Sequence, residues 1–172
     1  MRPAPLARLC PVCVAVLEPG FCACPKCGTS AEWLDFLRAF DFAIRRYELW
    51  KCQGILTTEE YRGLLAHCRV RRDALVRSAS QGKPAPKDTG LPDPRECWRC
   101  RQPNTSPTAT CAGCGSPLQT EEVRTLRFHA FLCNEVRLHC EAGRLSYAKW
   151  EAVMSDTPER QIVLLQRLGR DT

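Results

Sequence analysis

Two pairs of cysteines near the start of the chain, Cys10-Pro-Val-Cys13 and Cys24-Pro-Lys-Cys27, are separated by ten residues, and the pattern returns as Cys97-Trp-Arg-Cys100 and Cys111-Ala-Gly-Cys114. Thiols two residues apart reach one ion from a tight turn, and two such turns supply the four sulfur ligands of a tetrahedral Zn²⁺. The spacing therefore predicts two zinc ions per chain, held by Cys10, Cys13, Cys24 and Cys27 and by Cys97, Cys100, Cys111 and Cys114. Iron in a four-sulfur site fits the same ligand type. Cys22 is an alternative to Cys24, but the second set has Ala109 at the matching position, which favours the matching pairs. A four-thiolate ion has no open position for water, so its expected role is to hold the fold.

Other chemistry is thin. The histidines are His67, His129 and His139, and neither an HExxH helix, a phosphate loop nor a nucleophile elbow is present. Catalytic residues are therefore assigned to none, and the chain reads as a non-enzyme. His129, Cys133 and Cys140 fall on the inward face of one helix and form a further set of conceivable ligands, against which burial as ordinary core residues is the plainer reading. A thioredoxin-like use of the cysteine pairs needs a βαβ pattern that the sequence lacks.

The elements that must position these thiols are small. With 172 residues and a duplicated pattern, the chain divides into two units whose cores alone are marginal. Metal binding then becomes folding free energy. The 13 cysteines are odd in number and lie mainly in close pairs, and no signal peptide or apolar span stands out. A reducing, cytoplasmic setting without membrane attachment follows as the expectation. The net charge of +6 is mild, with 14 basic and 9 acidic residues through Gly90 and 11 and 10 after it.

Between the first cysteine pairs, Val14 to Phe21 joins β-forming residues to a Pro19-Gly20 turn, which predicts a short hairpin. Cys24-Pro-Lys-Cys27-Gly28 matches the CPxCG knuckle, and in this the chain resembles the zinc-ribbon superfamily over about 20 residues in each half. That resemblance implies bound metal and leaves open roles in transcription, translation, replication or protein scaffolding.

Thr29 with Glu32 predicts a capping box that starts a helix. Along it Trp33, Phe36, Leu37, Phe40, Ala43, Ile44, Tyr47 and Trp50 recur at the helical period. This aromatic face is too wide for one helical hairpin to cover, so it should meet the other half or a second copy. Phe42 and Leu49 fall on the opposite side, as a candidate partner surface. Gly54 ends the helix, and Thr57 with Glu60 caps the next, which turns Tyr61, Leu64, Leu65, Cys68, Leu75 and Val76 inward. Its other face carries Arg62, Arg69, Arg71, Arg72 and Arg77, the candidate phosphate contacts.

The second half repeats the first, with the cysteine site displaced by 87 residues and the hairpin by 89. Ser116, with Pro117 and Gln119 after it, takes the place of Thr29 as cap, although two inserted residues can move the helix start to Thr120. Pro158 should break the last helix and restart another to about Gly169, with Ile162, Leu165 and Leu168 as its apolar stripe. The expected fold is mainly α with two small β zinc ribbons, a tandem duplication of a ribbon plus an antiparallel helical hairpin. The divisions are 1–28 (ribbon 1), 29–80 (hairpin 1), 81–94 (a flexible linker that buries nothing), 95–115 (ribbon 2) and 116–172 (hairpin 2 with an extra C-terminal helix).

Two functions are consistent with these features. The first is a zinc-binding adaptor or scaffold that binds another protein or itself, through Phe42 and Leu49, through Phe128, Phe131 and Leu138 on the matching helix, and through the apolar ribbon loop. The second is nucleic-acid binding through the arginine face, with Arg99 and Arg101 at the second ribbon.

Overall fold

A computed structural model describes residues 9–17, 23–86, 90–105 and 109–170. The Pro19-Gly20 turn, Phe21 and Cys22 lie outside the described residues. Four long helices follow in order: α1 (Ala31–Cys52), α2 (Thr58–Ser80), α3 (Glu121–Glu141) and α4 (Tyr147–Arg170). None of them is long and apolar enough to cross a membrane.

The caps show what each polar side chain is used for. Thr57 accepts from the Glu60 N–H, and the Glu60 carboxylate accepts from the Thr57 N–H, a complete capping box for α2. For α1 the cap is Ser30, whose hydroxyl accepts from the Trp33 N–H, rather than Thr29. Likewise α3 is capped by Thr120 and not by Ser116. Thr29 and Ser116 are instead turned toward cysteine sulfurs, with their hydroxyls within hydrogen-bond distance of Cys27 and Cys114. After α1 and α3 the chain reverses through Gly54 and Gly143, at φ 73° and 70°, where a side chain would be strained.

Pro158 does not interrupt α4, which is continuous from Tyr147 to Arg170. A proline inside a helix removes one backbone hydrogen bond and costs about 3 kcal/mol. Val153 and Thr157 before it and Leu168 after it are buried, so breaking the helix would lift one of these anchors out of the core.

The two hairpins share one core. Trp33, Phe36, Phe40, Tyr47 and Trp50 of α1 pack in the same cluster as Leu64 and Cys68 of α2, Phe131, Leu132 and Val136 of α3, and Val153 of α4. At the seam the Phe131 ring stands edge-on to Phe36 at 6.1 Å and to Phe40 at 5.0 Å between centroids. The wide aromatic face of α1 therefore meets the other half, as its width demanded.

This seam has the reciprocal pattern of an approximate twofold. Phe40 against Phe131 (5.0 Å) is matched by its displaced equivalent, His129 against Phe42 (4.9 Å). Asp35 and Arg124, which occupy equivalent positions, pair with each other at 3.5 Å, and Asp35 also pairs with Arg127 at 3.1 Å. Elsewhere the copies have diverged at buried positions: Arg46 corresponds to Glu135, Trp50 to His139 and Cys68 to Thr157, all 5% exposed or less.

Phe42 thus belongs to the interior seam, 5.9 Å from Phe128, and is not the exposed partner surface expected of it. Leu49 is half-buried. Phe131 is fully buried and Phe128 nearly so, leaving only Leu138 of that trio exposed. Intramolecular docking has used up most of the apolar surface that the sequence leaves unpartnered.

The described parts of the segment between the halves, residues 81–86 and 90–94, are tied to the helices. Trp33 Nε1 donates to the Lys83 carbonyl at 2.8 Å, and Arg127 Nε to the Pro92 carbonyl at 2.9 Å. Ala85 and Leu91 pack on the common core. Gly90, at φ 70°, runs so close to α3 that an added Cβ would stand 2.5 Å from Asn134 Nδ2. Low apolar content did not predict this contact, because the anchors are backbone carbonyls, which every residue type carries.

Candidate metal centre

Each cysteine pair forms the same turn. In the first, the Val14 N–H donates to the Cys10 carbonyl and the Cys10 N–H to the Ala15 carbonyl, both at 2.8 Å. The pattern recurs at Cys24, Cys97 and Cys111 with distances of 2.8 to 3.0 Å. The residue after each second cysteine must take a left-handed conformation: Val14 (φ 61°), Gly28 (71°), Arg101 (61°) and Gly115 (71°). Two turns meet this demand with glycine and two accept strain.

The turns are closed by single bridges, Leu9 to Val16, Ala23 to Ser30, Glu96 to Pro103 and Thr110 to Pro117. No strand longer than these bridges occurs among the described residues. The predicted β-hairpins are therefore not seen there; each turn closes on itself.

Paired turns bring the sulfurs together. Cys10 Sγ lies 3.7 Å from Cys27 Sγ, and Cys13 Sγ 3.6 Å from Cys24 Sγ. In the second site Cys97 to Cys114 and Cys100 to Cys111 are both 3.6 Å. A tetrahedral ion with metal–sulfur bonds of about 2.3 Å separates its sulfurs by about 3.8 Å, so both sets fit a metal ion with little adjustment. All eight predicted ligands are gathered, four to a site. The chain matches no known protein family, no curated protein and no solved structure in comparison with each.

Within each site the thiols are shifted in opposite directions: in the second, exposed Cys100 is pushed up to about 12 while buried Cys111 is lowered. Burial pushes the Cys10 thiol up to about 12. At Cys27 desolvation also works to raise the value, but the Thr29 hydroxyl, 3.0 Å from the sulfur, and the Thr29 backbone outweigh it and bring the thiol down to about 6. Cys114 is likewise brought to about 6, chiefly by Ser116, whose hydroxyl lies 3.3 Å away. These hydroxyls favour the thiolates that a metal needs, by the kind of outer contact that tunes metal sites.

A pH dependence follows. Thr29→Val removes the hydroxyl that lowers Cys27, so the thiol pKa rises and protons compete for the sulfur at higher pH. Metal release from the first site on acidification should begin higher, by about half a pH unit, while the Ser116-supported site is unchanged. A chromogenic metal indicator followed through a pH titration reads both steps.

Little else supports the first site's packing. Cys10 and Cys24 are buried with Leu17 and Leu34, with Val12 and Ala15 packed against them, and Cys97 and Cys111 with Leu118, with Trp98 against them; Val12 also touches the helical core.

The arginine face of α2 is partly committed. Arg71 is ion-paired to Glu135 of α3 and lies over the Phe40 ring at 5.1 Å. Arg72 pairs with Asp41 at 2.7 Å. Arg62, Arg69 and Arg77 are exposed. At the second cysteine unit Arg101 pairs with Glu96 at 3.2 Å and Arg99 is exposed.

His129, Cys133 and Cys140 do not gather into a site among the described residues; His129 is taken up by the seam against Phe42. A different trio converges: Cys68 of α2 with Glu135 and His139 of α3, whose ligand atoms lie within 4.8 Å of one another. Sequence reading missed Glu135, although a glutamate four residues before a histidine, in line with Leu132 and Val136, was the available signal.

Proposed function

We propose that this chain is a zinc-stapled helical adaptor, in which two four-cysteine Zn²⁺ sites brace the ends of a duplicated helical core and the first cysteine unit docks a protein partner. Zinc is preferred to iron because a closed tetrahedral thiolate site with neighbouring hydroxyls serves a structural ion without any need for redox change.

Val14 carries the docking half of this reading. It is a β-branched residue at φ 61°, where a side chain costs about 1–3 kcal/mol, and it is 69% exposed. Val16 (66%) and Leu9 (42%) stand exposed with it across one bridge. At the same three places the second unit has Arg101, Pro103 and Glu96, with the arginine and glutamate paired in solvent. One turn scaffold thus presents charge in one copy and branched apolar side chains in the other. Strain and exposed apolar area combined in one residue serve no stabilising purpose in the isolated chain, and both are accounted for by a partner that covers them.

Replacement by polar residues tests this. Val14→Asn relieves the backbone, since asparagine tolerates the left-handed region, and Val16→Thr keeps the β-branch. The double variant should fold and hold metal as before, yet bind the partner purified with the native chain about thirtyfold more weakly, the equivalent of about 2 kcal/mol. Unchanged partner affinity would remove the docking surface from consideration. Nucleic acid in the purified complex, with binding that weakens steeply in salt, would favour the arginine face. That reading has lost ground, because two of its five arginines, Arg71 and Arg72, are engaged inside the molecule.

A further inference from the structure

The trio at the seam of the two halves has the composition of a metal site of another kind. Cys68 is 0% exposed, and Glu135 and His139 are each 1% exposed. They come from two helices and from both copies of the repeat, with Glu135 and His139 one turn apart on α3. We propose that Cys68, Glu135 and His139 bind a third divalent transition-metal ion, which joins the first half of the molecule to the second.

Several observations converge on this. The Nδ1 atom of His139 accepts a hydrogen bond from Arg144 Nε at 2.9 Å, while its Nε2, buried, has no hydrogen-bond partner. The Tyr47 hydroxyl lies beside the Cys68 thiol, buried and without a well-formed hydrogen bond. Two polar groups left wanting in one stretch of interior are uncommon, because buried polar atoms are nearly always satisfied. An ion on Nε2 satisfies the first directly. Its thiolate ligand, or a water in its fourth position, supplies an acceptor for the second.

Arg71, on the Glu135 carboxylate, plays the part of an outer contact that fixes a ligand's orientation. One thiolate, one imidazole and one carboxylate suit Zn²⁺, Co²⁺ or Fe²⁺, and not the all-oxygen preference of Mg²⁺ or Ca²⁺. Thiolate and carboxylate together neutralise the dication. The set is also not a residue of the duplication, since Thr157, Arg46 and Trp50 stand at the equivalent places.

The proton balance is simple. On binding, the Cys68 thiol proton leaves to solvent. The proton on His139 Nε2 shifts to Nδ1, and the Arg144 side chain, which is exposed, turns away into water. Three protein ligands leave one coordination position for water, unlike the closed four-cysteine sites.

Metal counting distinguishes this from the two tetracysteine ions. Protein stripped of metal under reduction, reloaded with Zn²⁺ and freed of excess by gel filtration should carry three ions per chain by elemental analysis. Cys68→Ser, His139→Gln and Glu135→Gln should each carry two, with the cobalt-substituted tetrathiolate absorption of both other sites retained. Cadmium NMR of the unaltered chain provides a second reading that needs no variant: two resonances in the four-sulfur range and a third well outside it. Saturation at two ions, with only two four-sulfur cadmium resonances, overturns the proposal. Three ions persisting in all the variants does the same.

Discussion

Chelation of the metal should release both tetracysteine ions, expose all eight of their thiols to alkylation, and erase amide protection over residues 9–17, 23–30, 95–105 and 109–118, while most of the helical circular dichroism survives. A structural zinc contributes about 10–16 kcal/mol of apparent binding free energy at neutral pH in small zinc peptides. The buried apolar support of the first site is Leu17 and Leu34, with partly buried Val12 and Ala15, and that of the second is Leu118 with partly buried Trp98. Each leucine is worth about 1.5–3 kcal/mol when buried, far too little to order a loop of this length alone. The helices differ, because their core runs continuously through α1, α2, α3 and α4 and contains no tetracysteine residue. Hydrogen exchange before and after chelation separates the two outcomes. Collapse of the helical signal along with the cysteine units would mean that the shared core is not self-supporting.

The second large effect is expected from Phe131→Ala. Phe131 is fully buried and is wedged between Phe36 and Phe40 where the halves meet. Truncation of a core phenylalanine costs about 3–5 kcal/mol, including the cavity left behind. Domains of this kind have about 5–15 kcal/mol in total, so a fall in melting temperature of roughly 10 °C is expected. The shape of the transition is as informative as its midpoint. If the seam is one continuous core, urea unfolding of the native chain is a single step and the variant shifts it as a whole. Two separate steps in the native chain, only one of them moved by the substitution, would show that the hairpins fold independently.

How far the sequence could be read depended on whether a feature was local or shared. The cysteine turns were legible because the spacing of a CxxC pair is itself the ligand geometry, and all eight thiols converge as their spacing required. The helices were legible from their apolar period, and Thr57 with Glu60 from its short-range reciprocity. Caps next to the metal turns were misread because Thr29 and Ser116 had two possible partners, a backbone N–H to accept from or a cysteine sulfur, and composition cannot rank them. Pro158 was misread because its local cost is set against burial of residues a turn or more away. Phe42 was assigned to an outer face, since the second hairpin that covers it comes from the other half of the chain. The Cys68, Glu135 and His139 trio spans that same seam: α3 alone offers the Glu135 and His139 pair, but its convergence with Cys68 of α2 is visible only once the halves are docked.

The divergence of the buried residues at the seam also bears on which halves can recognise each other. Were the second half replaced by another copy of the first, Arg46 would stand where Glu135 stands and would confront Arg71, and Asp35 would face its own duplicate in place of Arg124. Both encounters set like charges together with little water to screen them. The two hairpins are thus matched as lock and key: a fragment holding only the first should be repelled by a copy of itself and fit the second.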